Sequence, residues 1–393
     1  MRLGRSLVIL QVALSTVLLA GAGLLIRSLQ QLESVDVGFT REGIVSIEVT
    51  PERQASGTPQ WLSAQAEILD RIRRIPGVRY TSLSTTSPFS GRDRGAVLDI
   101  PGFVPAGESA KSVHLAALSP EYFEIFDVPL LLGRTFTARD DATAPKVAIL
   151  NETAARFYFG NANPIGKKVR FANYRSRDLV FEIIGVVKGV KHDSLRDQPM
   201  RFIYLPIPQS VERINRLELA VRCTGDAAAF APVVRQAVQD ASSIALINNV
   251  STVEKQIEQS LRRERLITAL STAFGALALV LACIGLHGLL AYTVARRTNE
   301  IGLRMALGAT RGGVMWLILR EALILAAAGI AIGLPTVLAL SRVIQTLLYG
   351  VAPFDVPAFA GAVLLLVAFA AIAAFVPARR ASRLDAMSAL RCE

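Results

Sequence analysis

Cysteine and histidine are scarce, three of each in 393 residues, and their placement closes several routes. Cys223 lies in a long polar stretch, Cys283 inside an apolar run and Cys392 beside the C-terminus, so no two can meet in an oxidising compartment and no intrachain disulfide is expected. His114, His192 and His287 have no His/Cys spacing that would hold a metal, and His192-Asp193, in a polar loop, is expected to be solvated. No nucleophile sits near a base in a way that would suggest a hydrolase. A phosphate loop is missing too. The nearest lookalike, Gly160 to Lys168, has five residues between its glycines instead of four, a proline two residues before the second, and no Ser or Thr after Lys167, and reads as a surface turn. No cofactor is implied, and neither an internal repeat nor a low-complexity tract is present.

Four apolar stretches are present instead. The first runs from Ser6 to Ile26 between Arg5 and Arg27 with no charge inside, which at 1.5 Å per residue spans about 30 Å of hydrocarbon. The second lies within Leu266 to Ala295, the third from Ala322 to about Ser341, and the fourth from Ala358 to Val376, closed by Pro377. Each is long enough to cross a bilayer. A cleaved leader ending at Ala20-Gly21-Ala22 is the competing reading of the first, but the apolar run continues to Ile26 and stops on an arginine, which suits an anchor better. His287 falls inside the second stretch, near its inner end, and is expected to be neutral and bonded to another helix. Polar groups in the stretches, mainly Gln11, Ser15, Thr16, Ser271, Thr272 and Thr336, are too few to line a hydrophilic conduit.

Arginines set the orientation, because positively charged short loops stay in the cytoplasm. Arg2 and Arg5 precede the first stretch, Arg296, Arg297, Arg304 and Arg311 fill the connection between the second and third, and Arg379, Arg380, Arg383 and Arg391 follow the fourth. The connection between the third and fourth holds only Arg342 and Asp355. Both termini are therefore expected inside and residues 30–265 outside, with Arg262, Arg263 and Arg265 a mild exception. The formal charge of +11 and pI near 10 then have anionic membrane lipids as counterions, with no nucleic acid needed.

The outer segment alternates strand and helix signals. Gly43 to Thr50 reads as a strand and Trp61 to Ile75 as a helix stopped by Pro76-Gly77. Ser119-Pro120-Glu121 is read as cap and N1 proline of a short helix through Phe126. Val147 to Leu150 is a strand, and Asn151 opens a helix after it. Further strands are expected at Leu179 to Lys188, Arg201 to Leu205, Leu217 to Cys223 and Ile244 to Asn249, with a helix from Ala227 to Asp240. The fold class is thus an α+β membrane protein: four transmembrane helices, with a large mixed α/β domain inserted between the first and second. Ser251 to Glu254 reads as a capping box, and with no proline from there to Ala295 one continuous helix of about 65 Å is expected, a lever from the outer domain through the second span. Gly21 and Gly23 in the first span, Gly275 and Gly285 in the second and Gly329-x-x-x-Gly333 in the third suggest close helix packing.

Between the second and third spans runs a basic amphipathic segment, Ala295 to Arg311, ended by Gly312-Gly313. Ile301, Met305 and Leu307 can face the membrane or another helix while Glu300, Arg304 and Arg311 stay wet. Together with Pro377 to Arg391 at the tail, this segment closely resembles the permeases of the MacB/FtsX family of ABC transporters. Outside the membrane, Pro164-Ile-Gly-Lys-Lys168 and Ile183-Ile-Gly-Val-Val187 look like the periplasmic core domain of that family. The first span, with Gln11-Val-Ala-Leu-Ser15 and Gly21 to Arg27, is similar to one repeat of the duplicated permeases of acidobacteria and relatives, which carry two four-span units where this chain holds one.

The resemblance implies a permease rather than an enzyme: residues 1–29 an N-terminal transmembrane helix, 30–265 the periplasmic core domain, 266–393 the permease domain. It implies a bacterial inner-membrane protein that transmits ATP-driven motion from a separate nucleotide-binding subunit to its periplasmic domain, in export or in lipoprotein or lipid handling. Glu300, Ile301, Gly302, Leu303, Arg304, Ala306, Leu307 and Gly308 would form the docking surface for that ATPase. Two permease units would be required, as a homodimer or a paired half, with periplasmic or outer-membrane partners beyond them. The alternative expectation is a membrane-anchored sensor or scaffold without an ATPase partner.

Overall fold

Among the described residues, four helices are long and apolar enough to cross a membrane: α1 (Arg2–Glu33), α7 (Arg262–Arg296), α9 (Arg311–Val343) and α10 (Val356–Ala381), numbered in chain order. The structure, a computed structural model, describes residues 2–55, 58–91, 95–103, 112–171, 179–210, 214–307, 309–343, 348–352 and 354–382. Two compact units emerge, Met1–Val35 with Arg262–Glu393, and Asp36–Leu261.

In the membrane unit α1 packs against each of the other three long helices. Val8 and Val12 of α1 meet Leu279, Ala282 and Leu286 of α7, Ala322, Leu325 and Ala326 of α9, and Leu366 and Ala370 of α10 in one buried cluster. A second cluster joins Ala20 and Leu24 of α1 to Val337 of α9 and to Ala358, Phe359 and Ala362 of α10. Bilayer lipid is as apolar as these side chains, so close packing and polar ties hold the helices together. Ser15 donates to the Ala278 carbonyl of α7 at 2.9 Å. Arg27 pairs with Asp355 at 3.2 Å and Arg265 with Glu33 at 2.9 Å. The Asp355 side chain also caps α10 through the Ala358 amide. On α7, Leu266, Leu270, Phe274, Leu277, Leu281 and Ile284 stay exposed along one stripe, as a helix that is apolar all round must leave them.

The outer unit is a mixed sheet with helices, ordered β1 (Ile44–Pro51), α2 (Pro59–Arg73), β2 (Val78–Ser84), β3 (Gly95–Asp99), β4 (Ser112–Leu118), α3 (Tyr122–Ile125), β5 (Leu130–Gly133), β6 (Val147–Asn151), α4 (Glu152–Phe159), β7 (Lys168–Phe171), β8 (Leu179–Val187), β9 (Phe202–Pro206), β10 (Leu217–Cys223), α5 (Ala227–Ala241), β11 (Ala245–Thr252) and α6 (Val253–Ser260). One half is antiparallel, β11-β1-β10-β2. Alternation puts Val45, Ile47, Val49, Leu217, Leu219 and Val221 on the face that packs Trp61, Ala64, Ile68 and Ile72 of α2 and Val234 and Val238 of α5. The other half runs β4-β3-β7-β8-β6-β9, and β9 pairs back onto β4 in parallel register, His114 opposite Phe202. The six strands therefore form a closed ring around Leu98, Val113, Leu115, Leu150, Val169, Phe171, Phe181, Ile183, Ile203 and Leu205. The halves join where Ser84 of β2 pairs with Leu118 of β4.

Asn151 caps α4 by accepting from the Ala154 amide, and Thr58 caps α2 by accepting from Trp61. Three local expectations are corrected. Ser119 caps nothing: its hydroxyl bonds Ser82 Oγ and the Leu83 amide, tying the turn to β2, and α3 starts from Glu121 without a side-chain cap. The cap expected at Ser251 falls on Thr252, because β11 extends through that residue, and Glu254 accepts from the Gly43 amide rather than folding back on the cap. The lever expected from Ser251 to Ala295 is two helices. α6 ends at Ser260, Leu261 turns with its amide on the 257–259 carbonyls, and α7 begins at Arg262. Val253, Gln256, Ile257 and Leu261 are all buried, so α6 is held as part of the outer unit.

Candidate ATPase-coupling surface

Between α7 and α9 lies α8 (Thr298–Ala306), nine residues with Glu300 in the first turn and Arg304 in the last, both favourably placed on the helix dipole. Its seat is apolar: Ile301, 4% exposed, sits in the cluster that includes Leu286 and Leu290 of α7 and Val314 and Ile318 of α9, with Met305 packed beside it. Gly302 is buried next to Ile301. Glu300, Leu303, Arg304, Ala306 and Leu307 form the opposite, exposed side. The sequence pattern grouped Leu307 with Ile301 and Met305; the structure puts it outward, 80% exposed, with Leu303 at 52%. α8 has ended at Ala306, so Leu307 no longer follows the helical face. Gly308 lies outside the described residues.

Charges organise this side. Arg304 pairs with Glu300 at 2.7 Å, and Arg297, the residue between α7 and α8, reaches Glu300 at 4.0 Å and Glu321 of α9 at 3.9 Å. Glu321 also accepts a hydrogen bond from Arg5 of α1. In the sequence Arg5 counts as a boundary of the first span and as an inner charge, and nothing there links it to Glu321. Their pairing joins residues 316 positions apart, and no local pattern announces it.

The packing glycines are placed individually. A Cβ added at Gly329 would sit 2.6 Å from Val12 Cβ, and one at Gly333 2.6 Å from Thr16 Cβ, so this pair lets α9 approach α1 within the same chain. At Gly275 it would meet Leu19 at 3.3 Å, at Gly23 it would meet Ala358 at 3.4 Å, and at Gly285 it would collide with Gln11 Oε1. At Gly21 nothing lies within 4 Å. His287 Nδ1 is 3.1 Å from the Ala373 carbonyl of α10, and since a carbonyl only accepts, that nitrogen carries the proton.

His192 is the clearest departure from expectation. It is not solvated but 3% exposed, stacked on Phe202, because the polar loop carrying it folds over the aromatic face of β9. Neither ring nitrogen has a hydrogen-bond partner among the described residues. Burial, and next to it His114, pushes its pKa down to about 3. The phosphate-loop lookalike is a turn between α4 and β7, where the Gly166 amide donates to the Ile183 carbonyl.

Residues 6–240 match the family described as MacB-like periplasmic core domain, and residues 272–386 the FtsX-like permease C-terminal domain. Among similar proteins are the pyoverdine export ATP-binding/permease protein PvdT of Pseudomonas putida, 26% identical over 298 residues covering 73% of this chain and 44% of the relative, and the macrolide export ATP-binding/permease protein MacB of Mannheimia succiniciproducens, 27% identical over 299 residues with the same shares. The chain thus spans less than half the length of these curated relatives. Among solved structures, the periplasmic region of MacB from Actinobacillus actinomycetemcomitans aligns at 17% identity and TM-score 0.37, covering 60% of this chain and 97% of that one.

Proposed function

Since this chain belongs to the family of MacB-like ABC exporter permeases, we propose that it works as the membrane subunit of an ABC system, in which a nucleotide-binding chain docks on α8 and its ATP-driven movement is passed to the outer domain. The observation that carries this reading is the division of α8: Ile301 and Met305 root it in the helix bundle, while Leu303, Ala306 and Leu307 offer an apolar surface rimmed by Glu300 and Arg304. An exposed apolar patch with a charged rim is what a protein partner buries. Charge bias supports a cytoplasmic α8, on the side where ATP is, with both termini on that side too.

The work is mechanical. The chain binds no nucleotide in this reading and forms no covalent intermediate; a second permease unit, from another copy or a paired half, completes the transporter, and anionic lipids neutralise the arginines of the inner face. Cargo of the export or lipoprotein-handling kind, with periplasmic or outer-membrane partners, would be met by the outer domain.

The test is purification of the tagged chain from native membranes. An ABC ATPase should accompany it, and Leu303→Asp should remove that ATPase while membrane insertion and the elution profile stay unchanged. Equal recovery of the ATPase with Leu303→Asp would refute docking on α8. Purification without any ATPase would favour the sensor or scaffold reading.

A further inference from the structure

Arg5, Glu321, Arg297, Glu300 and Arg304 form a line of alternating charge that starts on α1, crosses α9 and the α7–α8 junction, and ends on α8. Glu321 is its centre. Its carboxylate accepts from Arg5 with one oxygen and faces Arg297 at 3.9 Å with the other. The side chain is only 23% exposed. It stands beside the buried stripe of α9, next to Ala322, three residues after Ile318 and four before Leu325. A carboxylate at the edge of an apolar bundle is costly unless paired, and each pairing there is stronger than on an open surface.

From this geometry we infer that Glu321 is a positioning residue: it holds the start of α8 and the N-terminal end of α1 on α9 as one piece, so that displacement of α8 moves α1. Ile301 and Met305 seat α8 on the bundle, and the Arg297 contact next to its first turn adds a tie from the start of α8 to α9. The far end of α1 is held in the same manner, by Arg27–Asp355 to α10 and Glu33–Arg265 to α7. A helix of 32 residues without an internal proline, tied by ion pairs near both ends, carries a shift along its length.

This inference rests on the docking role of α8 for its purpose, but its geometry is testable without an ATPase. With Cys223, Cys283 and Cys392 replaced by Ser, spin labels at Leu3→Cys and Leu307→Cys, both on exposed positions, report the α1–α8 distance in lipid nanodiscs. A narrow distribution is expected for the otherwise unchanged chain and for Leu303→Asp. Glu321→Gln, and separately Arg5→Gln, should broaden it, while Arg5→Lys, which keeps the charge, should not. Arg5→Gln sits at the chain terminus and guards against a folding defect of Glu321→Gln. Unaltered distributions in both Gln variants would overturn the inference. Where an ATPase is captured, Glu321→Gln should retain it yet reduce its stimulation by the permease about tenfold, within the range of coupling between sites. Full stimulation would likewise overturn the inference, whereas undiminished capture by Leu303→Asp would overturn only the docking reading.

Discussion

The imidazole of His192 lies flat on the ring of Phe202, centroids 4.0 Å apart at 24°, and Phe202 in turn stacks on Tyr204. His114, directly opposite Phe202 in the β4–β9 pairing, lies against the same ring at 5.3 Å. A polar residue has been taken into an aromatic stack.

That burial predicts an acid-sensitive outer domain. Folded His192 titrates near 3, below its ordinary 6.5, so the unfolded chain binds the extra proton first as pH falls. The stabilisation is complete above about 6.5 and is lost progressively toward 3, by an amount on the order of a few kcal/mol. Urea unfolding followed by Trp61 fluorescence, in a Trp316→Phe background, should show this slope. His192→Phe should flatten it.

Asp140 predicts the same direction in a lower range. Arg134 holds it by two hydrogen bonds of 2.8 Å, and the Thr137 amide adds a third, keeping its carboxyl below the usual carboxylate value. Its contribution is present above the unfolded value and disappears as pH falls through the folded one. Asp140→Ala should cost about 1–3 kcal/mol at neutral pH, read from the same unfolding curves.

Gly333→Val should separate α9 from α1. Its branched side chain would need space held by Thr16 Cβ and the Ala13 carbonyl, at 2.6 and 2.9 Å from even the first carbon. Overpacking of this kind costs about 1–3 kcal/mol. Heating in detergent should show earlier loss of the monodisperse peak, and Gly21→Ala, at a position with nothing within 4 Å, should not.

Asp355→Ala should loosen the start of α10. It removes both the N-cap bond to Ala358 and the pair with Arg27, and a lost cap costs about 1 kcal/mol. Hydrogen exchange in residues 356–360 should rise while the rest of α10 stays protected.

Elements with strong local signals were readable in advance. The four long helices follow from uninterrupted apolar runs, and α2, α4 and α5 from periodicity and stops such as Pro76-Gly77. β8, β9 and β10 follow from β-branched and aromatic runs. What escaped was set by distant partners. Leu130, Leu131 and Leu132 of β5 are all exposed and show no alternation, so only pairing with β8 makes them a strand. β3 and β7 are only five and four residues long, too short for an alternation to stand out. The break at Leu261 has no proline or glycine to announce it, and the residues beside it, Ile257 and Leu261, are buried. His192 was misjudged because its neighbours in sequence are polar while those in space are aromatic. At the candidate site, α8 was legible from amphipathicity, but the tie from Glu321 to Arg5 joins residues 316 positions apart.

The parallel seam between β4 and β9 leaves those six strands without a first or last member. Tension applied there cannot peel them singly, since every neighbour is gripped on both flanks. A load on this half meets a hoop, whereas the antiparallel half ends, among the described residues, on β11, which pairs with β1 alone.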